Sequence, residues 1–154
     1  MADALVETWE IHNRINLYVL RAIDEKHLAD VSASKGRSVA EQFAHAHNVR
    51  LMWLKAAAPE FLAGLVKLEK VVFPGRAGIE AALTQSGKAI AALIQKSLES
   101  GGKVKGFKPH VTAFAGYLIS HESHHRGQIM LALKQAGHPV DKKIAYGIWE
   151  WGAR

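Results

Sequence analysis

The sequence contains no cysteine, and this absence excludes disulfide bonds, cysteine-ligated zinc and iron–sulfur clusters. It also contains no apolar run near the roughly 20 residues that a membrane-spanning helix needs, so we expect no membrane partner. Residues 1–7 have neither a basic region nor a long apolar core, and so lack the pattern of a secretory signal. Together these absences predict a cytoplasmic protein in a reducing compartment.

The excess of positive charge is moderate. The 20 Lys and Arg residues exceed the 14 Asp and Glu residues by six, but they are spread along the chain. The densest cluster, formed by Lys103, Lys105 and Lys108, lies among glycines, as expected for a solvated loop. Because no nucleic-acid motif and no interleaved stacking aromatics accompany it, we predict no nucleic-acid partner.

Proline is scarce, with four in 154 residues, and long stretches follow the spacing of an α-helix. A hydrophobic content of 49% is enough for a sizeable core, which predicts one domain over residues 1–154. Four long helical patterns and no convincing strand pattern predict an all-α protein, a four-helix bundle. An aromatic-rich C-terminal extension follows, which we expect to cover the bundle end or a partner subunit (Tyr146, Trp149, Trp151).

The predicted boundaries rest on caps and breakers. Ser38, with Glu41 three residues later, has the pattern of a capping box at the start of the second helix. Gly87, inside the third helix, is expected to mark close helix packing. The predicted segments are helices over 3–26, 39–57, 77–100 and 109–136, a shorter helical segment over 59–68, and an extended or turn-like connector over 71–75 that is long enough for a crossover.

Helical register places two histidines of the fourth helix on one face. His121 and His125 are four residues apart, so two imidazoles can reach one metal ion without bending the helix. His124 is three residues after His121, and spacing does not choose between His124 and His125. A third ligand must come from another helix. The second helix offers His45 and His47, both at the flanks of its apolar stripe, and periodicity leaves both open.

The other histidines are not expected to share this ion. His110 lies on the same face as His121, but three turns away, about 16 Å at 1.5 Å per residue. His12 and His27 are predicted to be structural or solvated. His138 lies in a Gly-His-Pro turn and is predicted to be exposed.

Several segments resemble the DinB/YfiT-like family of proposed metalloenzymes, and together they cover nearly the whole chain. They are residues 43–54, in which Trp53 follows His45; residues 121–128, which have the pattern His-x-x-x-His-Arg-Gly-Gln; Gly-His-Pro at 137–139; Trp9; and residues 83–86. The resemblance implies an antiparallel four-helix bundle with one divalent metal ion held by His45, His121 and His125. It favours nickel or zinc, with iron or manganese as alternatives.

Three neutral imidazoles leave coordination positions open, as in catalytic rather than structural sites. Since some relatives look like thiol-dependent transferases or isomerases, the resemblance implies a metalloenzyme that uses a low-molecular-weight thiol as co-substrate. Its substrate is not predicted. The alternative is a non-catalytic bundle in which a metal, if present, only fastens helices, and which works as a dimeric interaction module. The resemblance and the aromatic extension both favour a homodimer.

Glu122 allows two rival hypotheses. It completes an H-E-x-x-H pattern, in which it would be the general base of a zinc peptidase. However, Gln128 occupies the glycine position of the longer pattern, and no strand is predicted that would hold a peptide. Glu122 and His125 also match half of a di-iron ligand set, but the nearest second half is only Asp24-x-x-His27. Otherwise we expect Glu122 to be a surface carboxylate.

The residues around these histidines have simpler interpretations. Gln128 lies on the ligand face, where it is predicted to orient an imidazole or to pack. Gly127 would permit close approach of a neighbouring backbone. Arg126 is expected to pair with a carboxylate. Tyr117, one turn before His121, is expected either to pack in the core or to line the pocket.

Overall fold

The structure is a computed structural model that describes residues 3–70 and 74–154. Its helices are α1 (Ala4–Arg21), α2 (Val39–Ala57), α3 (Gly75–Glu99), α4 (Val111–Gln135) and the short α5 (Lys142–Gly147), with 3-10 turns at Glu25–His27, Pro59–Leu62 and Trp151–Ala153. Within the described residues no strand forms beyond an isolated bridge between Val104 and Phe107. The four long helices pack against each other, so the prediction of an all-α four-helix bundle is confirmed.

The capping box explains why α2 has the predicted bounds. The Ser38 side chain accepts a hydrogen bond from the Glu41 amide at 3.2 Å, and the Glu41 carboxylate accepts one from the Ser38 amide at 3.1 Å. The end predicted for the first helix was wrong, because α1 ends at Arg21. The Asp24 side chain accepts from the amide of Lys26 at 3.1 Å and starts a separate 3-10 turn.

Other boundaries also differ from the prediction, including those of α3, which spans Gly75–Glu99 rather than 77–100. The segment predicted over 59–68 is helical only as the turn Pro59–Leu62. The fourth helix starts after His110, whose ring accepts a hydrogen bond from the amide of Ala113 at 3.2 Å and so acts as its N-cap. Residues 71–73 of the predicted connector lie outside the described residues.

Two apolar clusters establish the helix directions. One cluster joins the beginnings of α2 and α3 to the last turns of α1 and α4, and the other joins the opposite ends of all four helices. Hence α1 and α4 run one way and α2 and α3 the other. Two helices run in each direction, as in an antiparallel bundle, but the neighbours α2 and α3 are parallel, so the chain crosses over between the end of α2 and the start of α3. The 71–75 connector was predicted to be long enough for a crossover, but residues 71–73 of it lie outside the described residues.

Between the two apolar clusters, the middle of the bundle holds a layer of buried polar side chains. The helices α1 and α2 each pack against both α3 and α4, so all four contribute to this layer. Its members are His12, Asn16, His47, Arg50, Ser86 and Glu122. Because buried polar groups are costly unless they are bonded, this layer restricts how each helix can rotate.

The aromatic extension is only partly buried in this chain. Ile148 joins the first apolar cluster and Trp151 packs against it. Tyr146 and Trp149 are 71% and 75% exposed, so the expectation that the extension covers the bundle end holds only for part of it. Among the described helices, none combines the length and the apolar character needed to cross a membrane.

Candidate metal centre

Three imidazoles converge at one edge of the polar layer. The Nε2 atom of His121 lies 3.3 Å from Nε2 of His45 and 3.2 Å from Nε2 of His125. Two imidazole nitrogens bound at 2.0–2.1 Å to one tetrahedral ion would be about 3.3 Å apart. The donor atoms of α2 and α4 therefore have the spacing that a single small divalent ion requires.

The orientation of one of these rings is determined by a side chain that the sequence did not single out. Nδ1–H of His125 donates to Oε1 of Gln42 at 2.6 Å, so in the neutral ring Nε2 keeps its lone pair and directs it at the other two histidines. Gln42 lies three residues before His45 on α2, and this helical spacing was the available signal. Gln128, predicted for this role, is exposed instead.

Burial and mutual repulsion keep the three imidazoles neutral. Burial lowers the pKa of His125 to about 4, and the neighbouring His121 and His45 contribute to the shift. Burial is also the main reason why the pKa values of His45 and His121 lie below 6.5. The positive charge of Arg37 adds to the lowering in all three. Neutral imidazole is the form that binds metal ions.

The structure distinguishes the histidines that spacing left open. His47 is 1% exposed, and both of its ring nitrogens are engaged: Nε2–H donates to the Val66 carbonyl at 2.8 Å, and Nδ1 accepts from the Ser86 hydroxyl at 3.0 Å. His124 lies on the exposed surface of α4. Geometry therefore brings His45 and His125, rather than these neighbours, to His121. That the three bind a metal remains a prediction.

Glu122 is not the surface carboxylate that was expected, because it is 2% exposed. Arg50 donates to both carboxylate oxygens of Glu122, at 2.6 and 2.8 Å. Nε2–H of His12 and the side-chain amide of Asn16 also donate to this carboxylate, at 2.8 and 2.9 Å. Burial raises the pKa of Glu122, but the charge and hydrogen bonds of Arg50 and His12 outweigh it and hold the pKa below its usual range. A fully bonded, buried carboxylate is unsuited to the general-base role of a peptidase.

This buried ion pair also anchors the rotation of α4. Residues 121 and 122 point about 100° apart around a helix, so holding Glu122 towards Arg50 turns His121 towards α2. The predicted carboxylate partner of Arg126 is replaced by the side-chain oxygen of Asn16, which accepts from its guanidinium at 2.6 Å. Arg126 thereby ties the same face of α4 to α1.

A second cluster of possible ligands lies at the end of the bundle. Nδ1–H of His138 donates to Asp30 at 2.7 Å, and the rings of His138 and His27 stack 3.7 Å apart with an angle of 5° between their planes. Because an imidazole lone pair lies in the plane of its ring, one ion cannot lie in the planes of two rings that are stacked face to face. His138 is exposed, as predicted. The Asp24–His27 half of a di-iron set also belongs to this end, away from the triad.

Two glycines and one tyrosine complete the comparison with the sequence. Gly87 does mark close packing, since a Cβ atom there would collide with the Asn13 side chain. Gly127 does not, since a Cβ atom added there would meet nothing within 4 Å. Tyr117 is exposed, and its ring lies 6.4 Å from that of His121 and 5.8 Å from that of Trp53, at the border of the site rather than in the core.

A hollow of about 310 Å³ opens beside His45. This volume lies at the lower end of the range for small-molecule sites. Its lining combines the apolar side chains of Ala44 and Leu68 with polar side chains that carry charges of both signs: Arg37, Glu41, Asn48, Lys67, Glu69 and Lys70. Of the three converging histidines, His45 therefore borders a space that a small molecule can enter.

The model of the DinB family matches residues 1–149, which includes all four long helices and the three converging histidines. No curated protein matches the chain.

Proposed function

This chain belongs to the DinB family, and we propose that its three converging histidines hold one divalent metal ion in an open, catalytic site. The observation that carries the proposal is the spacing of the Nε2 atoms: that of His121 lies 3.3 Å from Nε2 of His45 and 3.2 Å from Nε2 of His125. Three imidazoles leave at least one position of a tetrahedral ion for another ligand. A bound ion would supply Lewis acidity and would favour the deprotonated form of that ligand.

The metal is proposed to be nickel or zinc, with iron or manganese as alternatives. Imidazole donors suit zinc, nickel and iron, and selection in the cell depends on geometry and availability. The chain's own part is to keep the three rings neutral and aligned: burial lowers their pKa values, and Gln42 orients His125.

The reaction is proposed to be metal-dependent transfer to or from a low-molecular-weight thiol. The chain has no cysteine, so a thiol nucleophile has to come from a co-substrate. The hollow beside His45 gives such a molecule access to the site. Glu122 is excluded as the general base by its four hydrogen bonds, so proton transfer would depend on the ligand's own acidity.

A second candidate function is a non-catalytic dimeric interaction module. The observation that favours it is the exposure of two large aromatic side chains, Tyr146 and Trp149, on the C-terminal extension. Exposed aromatics of this kind are enriched at protein interfaces. A homodimer is compatible with both candidates, and only an open metal site is specific to the first.

Elemental analysis tests the proposal, on untagged protein purified without chelators or added metal. We expect about one divalent ion per chain, and a sharp reduction in each of His45→Ala, His121→Ala and His125→Ala. The controls are His110→Ala, which removes a helix cap, and His138→Ala, which removes the stacked ring. Full occupancy in His121→Ala would overturn the site.

A second measurement distinguishes the two candidates. In cobalt(II)-loaded protein, an added thiol should change the visible absorption spectrum if a coordination position is open. A spectrum that no added ligand changes would indicate a closed, fastening site and favour the interaction module. Protein that binds no metal after titration with zinc and nickel would also favour the interaction module.

A further inference from the structure

Arg37 is an exposed residue that borders two hollows near the three-histidine cluster. It precedes the N-cap of α2 by one residue. It lines the hollow of about 310 Å³ together with His45, and a second hollow of about 270 Å³ together with Gln42. The guanidinium therefore borders the approach both to a proposed metal ligand and to the side chain that orients another. The influence of its charge on all three histidines agrees with this position.

Arg37 differs from the other charged side chains of the first hollow. Lys70 lies 3.4 Å from Glu41, and Lys67 lies 3.8 Å from Glu69, so these four charges offset each other in pairs. Within residues 3–70 and 74–154, Arg37 has no carboxylate within ion-pair distance. It is thus the one charged group lining this hollow that the described part of the chain leaves without a counter-charge.

We propose that Arg37 binds the carboxylate of an anionic co-substrate whose other donor group reaches the three-histidine site. This inference rests on the proposed function and specifies its substrate class: a small thiol that carries a carboxylate. The planar guanidinium matches a carboxylate with two parallel hydrogen bonds. A ligand bound at both ends loses its translational and rotational freedom only once but makes two contacts. The contact with Arg37, which is weak alone, therefore adds to the affinity of ligands that carry a carboxylate.

A matched pair of thiols tests the proposal. The probes are 3-mercaptopropionate and 3-mercapto-1-propanol, which have the same chain length and differ in the carboxylate. Each is titrated into cobalt(II)-loaded protein, and binding is followed by the absorption of the cobalt–thiolate bond. We expect the carboxylate probe to bind about tenfold more tightly, the size of one charge-assisted hydrogen-bond contact.

The variant Arg37→Gln should abolish this preference. Its cobalt content should not fall, because Arg37 is not a proposed ligand, and its affinity for the alcohol probe should change much less than its affinity for the carboxylate probe. The control is Lys35→Gln, which removes an exposed positive charge that lines only the second hollow. Lys35→Gln should keep the preference.

The outcomes separate this proposal from the one on which it rests. Equal binding of the two probes to the unchanged protein, or a preference that survives Arg37→Gln, would overturn the role of Arg37 while leaving the metal site intact. If Lys35→Gln also lost the preference for the carboxylate probe, the preference would come from the general positive charge of this surface, and the specific contact with Arg37 would be overturned. Protein that binds no cobalt, or whose spectrum neither thiol changes, would overturn the proposed function and this inference with it.

Discussion

The molecule contains two clusters of histidines, and they differ in the angle between their rings. In the three-histidine cluster at mid-bundle the ring planes are 59–72° apart, and Nε2 of His121 lies 3.3 Å from Nε2 of His45 and 3.2 Å from Nε2 of His125. In the pair at the bundle end, the rings of His27 and His138 are nearly parallel and face each other. Both clusters bring histidines from distant parts of the chain within a few ångströms. Proximity alone therefore does not make a metal site, because the lone pairs must also point at one position.

The partners behind the rings account for this difference. Gln42 holds His125 so that its other nitrogen faces inward, and the bonded Glu122 fixes the rotation of α4. At the bundle end one carboxylate, Asp30, holds His138 from the side while His27 covers its face. The first arrangement includes one buried ring, His125, and is bonded on several sides, whereas the second includes the exposed ring of His138. The predictions below test this comparison at each of these partners.

The largest expected effect comes from removing the carboxylate beneath the first cluster. Glu122→Ala leaves the guanidinium of Arg50 buried without its counter-charge, which should lower the free energy of unfolding by about 3–5 kcal/mol. Denaturant unfolding measures it. The matched control is Glu10→Ala, which removes an exposed carboxylate from α1 and should change stability by less than about 0.5 kcal/mol. Coinciding unfolding curves for the Glu122 variant and the unchanged protein would contradict the assigned role of the ion pair.

A smaller loss is expected from the side chain that orients His125. Gln42→Leu keeps the volume but removes the acceptor of the Nδ1–H bond, so the affinity for zinc should fall by about 10–100-fold, typical of such partners. Competition with a chelator of known affinity measures it. Gln128→Leu, on the exposed surface of α4, is the control and should leave affinity unchanged. If the two variants bound zinc equally well, the orientation of His125 would not depend on Gln42.

Sequence reasoning succeeded where the interacting residues are close in the chain and failed where they are far apart. The bounds of α2 followed from Ser38 and Glu41, because a capping box lies within three residues of chain. Glu122 was misassigned because its partner Arg50 is 72 residues away and nothing local announces it. For the same reason periodicity left His45 and His47 open. The choice depends on contacts of His47 with α3 and with residue 66, which a helical pattern does not contain.

Other parts of the prediction succeeded because their cause is local or repeated. Four helices could be recognised from apolar spacing along 154 residues, and His121 and His125 from a single turn of α4. The end of α1 was missed because Asp24 caps a new turn where the apolar spacing continues. The parallel course of α2 and α3 depends on which ends share an apolar cluster, and this is a property of the folded chain.

A pH dependence should distinguish the buried cluster in the metal-free protein. The pKa of His125 is lowered from 6.5 to about 4, so between these values the unfolded chain binds more protons than the folded one. The contribution of His125 to the free energy of unfolding is fully present above pH 6.5 and is lost as the pH falls towards 4. The unfolding temperature of metal-free protein should therefore decrease over this window, and less steeply in His125→Gln. Identical pH profiles for the two proteins would refute this contribution.

The smallest expected effect belongs to the stacked pair. His138→Ala removes the ring that stacks on His27 and the bond to Asp30, both at the surface, so the cost should be about 1 kcal/mol or less, with unchanged metal content. His27→Ala should also be mild. Since both variants remove the same stack, their double variant should cost less than the sum of the two. Additive costs would show that the rings contribute independently. A reduced metal content in His138→Ala would contradict the argument that imidazoles stacked face to face cannot share an ion.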